Sequence, residues 1–252
     1  MAIILVTNDD GILSSGIKML AEELEEVGEV WVVAPEREVS SVSHAITLNQ
    51  PLRAEKIAPQ RYAVCGTPTD CVLLGVLKLL PAKPALVVSG INRGVNLADD
   101  ITYSGTVAGA MEGALLGISS FAISFEDSDG DFKKPALFAK VLSSKLIKSP
   151  LPPGRFLNVN VPSSEIKGVR ITRQGRRSGG ESVLERVDPR GKLYYWIGPQ
   201  HYPEGEPEDT DIGALKRGYV SITPLRLDLT DYQLLPQLKE DWEKEFASFL
   251  EG

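Results

Sequence analysis

The chain has 252 residues, of which 42% are hydrophobic and 24% are charged, and its formal net charge is -7. This composition is typical of a soluble globular protein that is long enough to bury a substantial core. The acidic balance argues against a surface for duplex nucleic acid, because neutralising a phosphate backbone requires clustered Lys and Arg.

The N-terminal residues predict a strand, a helix and a second strand. Residues 3–7 form a short run rich in β-branched side chains, as expected of a strand that is buried on both faces. Residues 16–27 carry apolar side chains at helical spacing, and residues 30–34 form another apolar run that Pro35 ends. This order is that of a βαβ unit.

The same alternation continues further along the chain. Helices are predicted at 69–80, 106–116 and 135–147, strands at 85–89 and 121–124, and short extra strands at 45–48 and 62–64. Alternating strands and helices favour a mainly parallel sheet with helices on both faces. The predicted fold class is therefore α/β, doubly wound and Rossmann-like.

The pattern changes after residue 150. Short strands are predicted at 156–161, 169–173, 193–197 and 219–223, and an amphipathic helix at 234–250. We therefore predict an α/β core at 1–150, followed by a β-rich C-terminal appendage with a closing helix at 151–252.

Two adjacent carboxylates, Asp9 and Asp10, follow the first strand directly. Ligands in doubly wound sheets bind beyond the carboxyl ends of the strands. A hard divalent cation relieves the repulsion between two carboxylates there, and Mg²⁺, Mn²⁺ and Ca²⁺ all accept such oxygen ligands. Asn, Asp and Gly also form turns and helix caps, so a plain turn is an equal alternative from this segment alone.

Two further polar loops follow strands of the same predicted sheet. Ser40 lies in the loop after the second strand, and Asn92 follows the strand at 85–89. Each residue taken singly favours a turn or a cap. Loops at strand C-termini can converge on one crevice, and that convergence favours a shared binding site.

A possible anion site opens the predicted helix at 106–116. Ser104, Gly105 and Thr106 combine free amides of a helix N-terminus with a glycine that permits close approach. A simple helix cap is the alternative, and the two roles are compatible. The sequence has no Walker A motif and no G-x-G-x-x-G after the first strand, which argues against a nicotinamide cofactor.

Several motifs in order along the chain resemble those of the SurE (stationary-phase survival) family. They are Val6-Thr7-Asn8-Asp9-Asp10-Gly11, Val33-Ala34-Pro35, Gly66-Thr67-Pro68-Thr69-Asp70-Cys71, Ser89-Gly90-Ile91-Asn92, Tyr103-Ser104-Gly105-Thr106-Val107-Ala108 and Gly218-Tyr219-Val220-Ser221-Ile222-Thr223-Pro224-Leu225. The resemblance implies a metal-dependent phosphatase that acts on nucleoside 5′- and 3′-monophosphates and, in some members, on polyphosphate.

The resemblance also implies roles for individual residues. The metal ligands fall on Asp9, Asp10, Ser40 and Asn92, and the substrate-binding residues fall on Asn96, Ser104, Gly105 and Thr106. Glu38 and Val39 depart from the family pattern before Ser40, so Ser41 is an alternative ligand. We expect one Mg²⁺ or Mn²⁺ ion, with Ca²⁺ able to occupy the site, and catalytic roles for Asp9 and Asp10.

Association between copies is a further expectation. The short strands after residue 152, with Tyr194, Tyr195 and Trp196, carry apolar surface and edges that invite pairing. The family resemblance points the same way, through exchanged C-terminal elements. We therefore predict a homodimer or homotetramer.

The cysteines and the first apolar run predict the cellular location, and a second class of function stays open. Two cysteines outside any C-x-x-C pair favour a reduced compartment, and the first apolar run is too short for a membrane span, so the cytoplasm is predicted. The sequence favours a structural or peripheral role for His44 over a catalytic one. For Arg173, Arg176 and Arg177 it favours a solvated turn or a salt-bridged interface over direct contact with substrate. A non-catalytic metal- and nucleotide-binding sensor is the alternative to an enzyme.

Overall fold

The computed structural model describes residues 1–127, 130–177, 183–198, 202–203 and 205–247. The strands are β1 (Ile3–Thr7), β2 (Glu29–Pro35), β3 (Ala54–Ala58), β4 (Arg61–Val64), β5 (Leu86–Arg93), β6 (Ser119–Phe125), β7 (Arg155–Val161), β8 (Gly168–Ile171), β9 (Val183–Val187), β10 (Leu193–Ile197) and β11 (Tyr219–Arg226). The α-helices are α1 (Ser15–Leu24), α2 (Pro68–Leu74), α3 (Gly105–Leu115), α4 (Lys133–Lys148), α5 (Asp211–Lys216) and α6 (Leu235–Ala247).

Nine of these strands form one sheet in the order β3-β4-β2-β1-β5-β6-β7-β11-β8. The six neighbouring strands from β4 to β7 are all parallel, whereas β3 pairs antiparallel with β4, and β11 pairs antiparallel with β7 and parallel with β8. The predicted α/β, mainly parallel fold is therefore confirmed. The chain leaves β1 toward β2 on one side, whereas β5 and β6 lie on the other, so the strand order reverses between β1 and β5. Open α/β sheets bind ligands at such a reversal.

Alternate residues of β1 pack into the two helical layers. Ile4 and Val6 belong to a core cluster that includes residues of α1 and α4, whereas Leu5 packs in a cluster with Cys71 and Val72 of α2. All three β1 side chains are fully buried. Burial of each such aliphatic side chain stabilises the fold by about 1.5–3 kcal/mol, which fixes the sheet edge where the polar loops emerge.

Some predicted elements differ from the structure. The strand predicted at 45–48 is absent, because the Thr47 backbone N–H and hydroxyl donate to the Asp70 carboxylate, at 2.8 Å and 2.7 Å, instead of joining a ladder. The elements β3, β9 and α5 were not predicted, since β3 and β9 are exposed and α5 is short. The closing helix is α6, and residues 248–250 of the prediction lie outside the described residues.

The chain after residue 150 contributes to two sheets. The strands β7, β8 and β11 extend the central sheet, whereas β9 and β10 form a separate antiparallel pair that fits the expected C-terminal appendage. The division into 1–150 and 151–252 as domains stays a prediction. Among the described residues, no helix combines the length and apolar character needed to cross a bilayer.

Candidate active site

The turn after β1 is fixed by the buried side chain of Asn8. Its Nδ2 donates to the carbonyl of Gly11 at 3.0 Å and to the hydroxyl of Ser14 at 2.8 Å. Gly11 adopts a φ of +93°, a conformation that residues with a Cβ rarely adopt. These contacts hold Asp9 and Asp10 at the carboxyl end of β1, next to the reversal of strand order.

Asp9 is a buried carboxylate with few compensating partners. It is only 5% exposed, and the hydroxyl of Thr106 donates to its Oδ1. Burial raises the pKa of Asp9 to about 6, with a smaller contribution from the charge of Asp10, while the Thr106 hydrogen bond opposes the shift. Burying an ionised carboxylate is unfavourable unless an opposite charge compensates it, so a cation bound beside Asp9 is strongly favoured.

Asp10 lies beside Asp9 and is less deeply buried. Desolvation also raises the pKa of Asp10, although the backbone N–H of Arg93 donates to its Oδ2 at 3.3 Å and lowers it. Glu38, across the cavity, adds a repulsive charge that raises it further. Two neighbouring carboxylates with raised pKa values, both facing one cavity, form an oxygen-rich donor set that suits a hard divalent cation.

The first turn of α3 packs directly against Asp9. The Ser104 hydroxyl accepts the Val107 N–H at 3.1 Å and caps the helix. A Cβ on Gly105 would lie 2.9 Å from the Asp9 Cβ and 3.0 Å from its Oδ2, so only glycine permits this approach. The N-terminal amides of α3 therefore lie next to the acidic pair, where they favour a negatively charged group.

These elements enclose a cavity of about 380 Å³. Six of the predicted site residues line it, namely Asp9, Asp10, Ser40, Asn92, Asn96 and Ser104. Gly105 and Thr106 lie immediately behind, in contact with Asp9. The structure thus brings all the predicted residues together around one space.

The loops after β1 and β2 and the carboxyl end of β5, which includes Asn92, converge as the topology requires. Ser40 donates to the Oε1 of Glu38 at 2.7 Å, which leaves its hydroxyl oxygen able to accept or to bind a cation. Ser41, with a φ of +57°, lines the same cavity, so either serine can supply the ligand. The Asn92 Nδ2 donates to the carbonyls of Arg93 and Gly94, at 3.3 Å and 2.9 Å, and its Oδ1 remains an acceptor.

Asn96 is fixed by a buried amide network. Its backbone N–H donates to the Oδ1 of Asn160 at 2.8 Å, and its Nδ2 donates to the Ser124 hydroxyl at 2.8 Å. Its carbonyl accepts from the side chains of Asn158 and Asn160, at 2.8 Å and 3.0 Å. These hydrogen bonds between buried groups hold Asn96 at the cavity wall.

The cavity also contains residues that the sequence did not single out for it. Arg177 and Asp100 line the wall and form an ion pair, and Tyr202 donates to the second oxygen of Asp100. Arg173, from the same predicted cluster, instead pairs with Asp209 at an exposed position. Of the two interpretations of the cluster, a solvated turn or a salt-bridged interface, Arg177 therefore fits the second. Its contact with Asp100 joins residues 77 positions apart, which no local pattern signals.

His44 lies outside the acidic cavity. Its Nε2 is 2.9 Å from the Oε2 of the buried Glu112 on α3, and it lines a second, more apolar cavity of about 740 Å³. The two cavities share Ser104. The position of His44 agrees with the peripheral role that the sequence favours.

Residues 4–181 match the family model described as Survival protein SurE. The chain belongs to the SurE family. It is 50% identical over 234 residues to a protein named 5′-nucleotidase SurE from Syntrophotalea carbinolica, an alignment that covers 92% of this chain and 94% of that one. It is 47% identical over 257 residues to the protein of the same name from Moorella thermoacetica, with 98% and 96% covered.

A solved member of the SurE family has the same fold. The crystal structure of the SurE protein from Aquifex aeolicus is 45% identical in sequence and superimposes with a TM-score of 0.85. The match covers 94% of this chain and 98% of that one. The α/β architecture and the course of the chain are therefore those of SurE proteins over almost the whole length.

Proposed function

We propose that the protein is a phosphomonoesterase that hydrolyses nucleoside monophosphates to nucleoside and phosphate, a 5′-nucleotidase. Relatives that are 47–51% identical over nearly their full length carry that name. These relatives favour hydrolysis over the alternative of a non-catalytic metal- and nucleotide-binding sensor.

The observation that carries the proposal is the contact between Asp9, one member of the acidic pair, and the N-terminus of α3. Asp9, Asp10, Asn92 and one of Ser40 or Ser41 would hold one divalent cation, Mg²⁺ or Mn²⁺, and Ca²⁺ could occupy the same oxygen ligands. A cation there supplies Lewis acidity and charge neutralisation at the phosphoryl group. Asp9 and Asp10 position that charge against the substrate, which is their catalytic role.

The phosphate group is assigned to the first turn of α3. Gly105 and Thr106 would offer backbone amides, and Ser104 and Asn96 would contribute polar groups at the wall of the cavity. The Thr106 hydroxyl already donates to Asp9, so we assign its contribution to the backbone N–H. Fixed amide dipoles of this kind stabilise charge that develops on a transferred phosphoryl group.

The proposal extends to further substrates, to cellular location and to oligomeric state. Hydrolysis of 3′-nucleotides and of polyphosphate would use the same phosphate site. We propose a cytoplasmic homodimer or homotetramer, supported by two free thiols and by the exposed aromatic side chains of β10. Assembly would then stabilise the fold or shape the entrance of the cavity.

The test is phosphate release from AMP and GMP with and without Mg²⁺ or Mn²⁺. Asp10→Asn should preserve the fold, weaken metal binding and reduce activity by about a hundredfold or more, because mutation of one electrostatic contributor in a site has that effect. Asp228→Asn, at an exposed carboxylate of the C-terminal segment, is the matched control and should keep the parent rate. An Asp10→Asn protein that binds metal and hydrolyses AMP at the parent rate would contradict the proposal.

A further inference from the structure

An ion pair forms part of the wall of the acidic cavity. The Arg177 guanidinium donates to the Oδ1 of Asp100, and the Tyr202 hydroxyl donates to its Oδ2. The side chains of Arg177 and Asp100 are each 15% exposed, so the pair is shielded from solvent yet reachable from the cavity. Arg177 also lies over the Tyr103 ring, 5.1 Å from its centroid, a favourable cation–π contact.

The segment after β8 and residues 98–102 are held together by contacts other than this ion pair. The buried Asp211 carboxylate accepts the N–H of Ala98 at 2.9 Å with one oxygen and that of Gly175 at 2.9 Å with the other. The Gln174 side chain adds a bond to the Ala98 carbonyl at 3.1 Å. These neutral donors fasten the segment after β8 to the turn at 98–102 without the Arg177 side chain.

The cavity wall carries more negative than positive side chains, so a guanidinium there would favour binding of a phosphate. Four carboxylates line the wall, those of Asp9, Asp10, Glu38 and Asp100, against the two arginines Arg93 and Arg177. A phosphate dianion that enters this space meets repulsion from each carboxylate that a cation does not neutralise. A guanidinium offers paired donors that match phosphate oxygens, and its pairing is strongest where solvent is excluded.

We propose that Arg177 contacts the substrate phosphate, and that the phosphate replaces Asp100 as its main partner. This inference rests on the proposed function, because it assigns a contact for the phosphate group of a nucleotide. In the substrate-free protein Asp100 neutralises Arg177, and Tyr202 and Tyr103 hold the two groups at the wall. Asp100 therefore competes with the phosphate, and the strength of this competition sets phosphate affinity.

Calorimetric titration of the intact protein with inorganic phosphate, at saturating Mg²⁺ and again at saturating Mn²⁺, tests the inference. Arg177→Ala should weaken phosphate binding roughly ten- to a hundredfold, the range for losing a hydrogen bond to a charged group. Asp100→Asn should strengthen it, by about threefold or more, because the competitor has lost its charge. Arg176→Ala removes the same charge from an exposed neighbour that does not line the cavity, and should leave binding unchanged.

The opposite signs of the two substitutions separate this role from a structural one. A salt bridge that only positions the wall predicts weaker phosphate binding for both Arg177→Ala and Asp100→Asn, and that outcome overturns the inference. It is also overturned if Arg177→Ala matches Arg176→Ala, or if the parent binds no phosphate with either cation. A parent protein that binds phosphate but hydrolyses no nucleotide contradicts the proposed function and leaves the Arg177 contact to be decided by the same titrations.

Discussion

β6, in the middle of the sheet, has all seven of its residues buried, whereas β9 and β10 have all five residues of each strand exposed. The helix α6 is similarly exposed, with Trp242 and Phe246 packed edge-to-face against each other. The first region owes its order to burial against two helical layers. The second contributes two-stranded and helical elements that bury little within the chain, and an isolated hairpin is at best marginally stable in water.

Asp9 in the acidic cavity and Asp228, between β11 and α6, have pKa values shifted in opposite directions. Burial raises the pKa of Asp9 to about 6 in the cavity, whereas hydrogen bonds from Tyr232 and Thr230 lower the pKa of Asp228 to about 2 at an exposed position near the C-terminus. The acidic site is therefore destabilised by its own charge until a cation binds. At Asp228 the hydrogen bonds stabilise the ionised carboxylate without a cation.

Glycine replacements in the two regions should give the largest contrast. Gly105→Val should reduce nucleotide hydrolysis by up to about a thousandfold, because the new side chain displaces Asp9 and keeps the phosphate from the α3 amides. Steady-state rates with AMP, together with the inhibition constant for inorganic phosphate, would measure the effect.

Gly191→Ala is the matching change in the turn between β9 and β10. Gly191 has a φ of +79°, and the space that a Cβ would occupy there is open, so the cost is limited to local backbone strain. We expect it to keep the parent rate. Equal rates for Gly105→Val and the parent would remove the α3 N-terminus from the site.

The next largest expected difference between Asp9 and Asp228 is their effect on how stability depends on pH. A carboxyl whose pKa is raised in the folded state stabilises the fold fully below its unfolded pKa of 3.8, and that contribution is lost as the pH rises through about 6. The free energy of unfolding of the metal-free protein should therefore fall by about 3 kcal/mol across this window on account of Asp9. Asp9→Asn should remove this slope and leave a protein that is more stable than the parent above pH 6.

Denaturant titrations in a chelating buffer between pH 4 and 7 would measure the slope. Asp228→Asn is the control, because a lowered pKa contributes stability that is lost only as the pH falls below the unfolded value toward about 2. Its slope between pH 4 and 7 should equal that of the parent. An unchanged slope in Asp9→Asn would mean that Asp9 is not the group that titrates.

The sequence predicts the buried region well, for a physical reason. A strand covered on both faces, such as β1 or β6, must be an apolar run, and the helices between them must carry an apolar stripe. The edge strand β3 has no such requirement, because its residues are mostly exposed, and it was missed. The apolar Ile46 and β-branched Thr47 mimic a strand, but Thr47 bonds to Asp70.

The residues of the candidate site also fall into those that the sequence could predict and those that it could not. Asp9 and Ser40 could be found from the sequence because each follows a strand, and Asn92 because it lies at the carboxyl end of one, all at the same edge of the sheet. Arg177 and Asp100 could not, because their pairing depends on how the segment after β8 folds back over the turn at 98–102. Residues brought together by strand order are predictable, and those brought together by loops are not.

The smallest of the expected effects concerns the association of copies through the exposed strands. Trp196 is 62% exposed within the chain, on a strand that has only β9 beside it among the described residues. If a second copy covers this surface, Trp196→Asp should weaken association by about 2 kcal/mol or more, as the loss of a large interface aromatic commonly does. Leu77→Asp introduces the same charge at a site that is 59% exposed, in the π-helix Gly75–Leu79 that follows α2, and should leave association unchanged. Light scattering across a dilution series would give the dissociation constants, and a chain truncated after residue 230 would test the contribution of α6. A parent that is monomeric at micromolar concentration would contradict the proposed assembly, and the exposed aromatics of β10 would then need a partner other than a second copy.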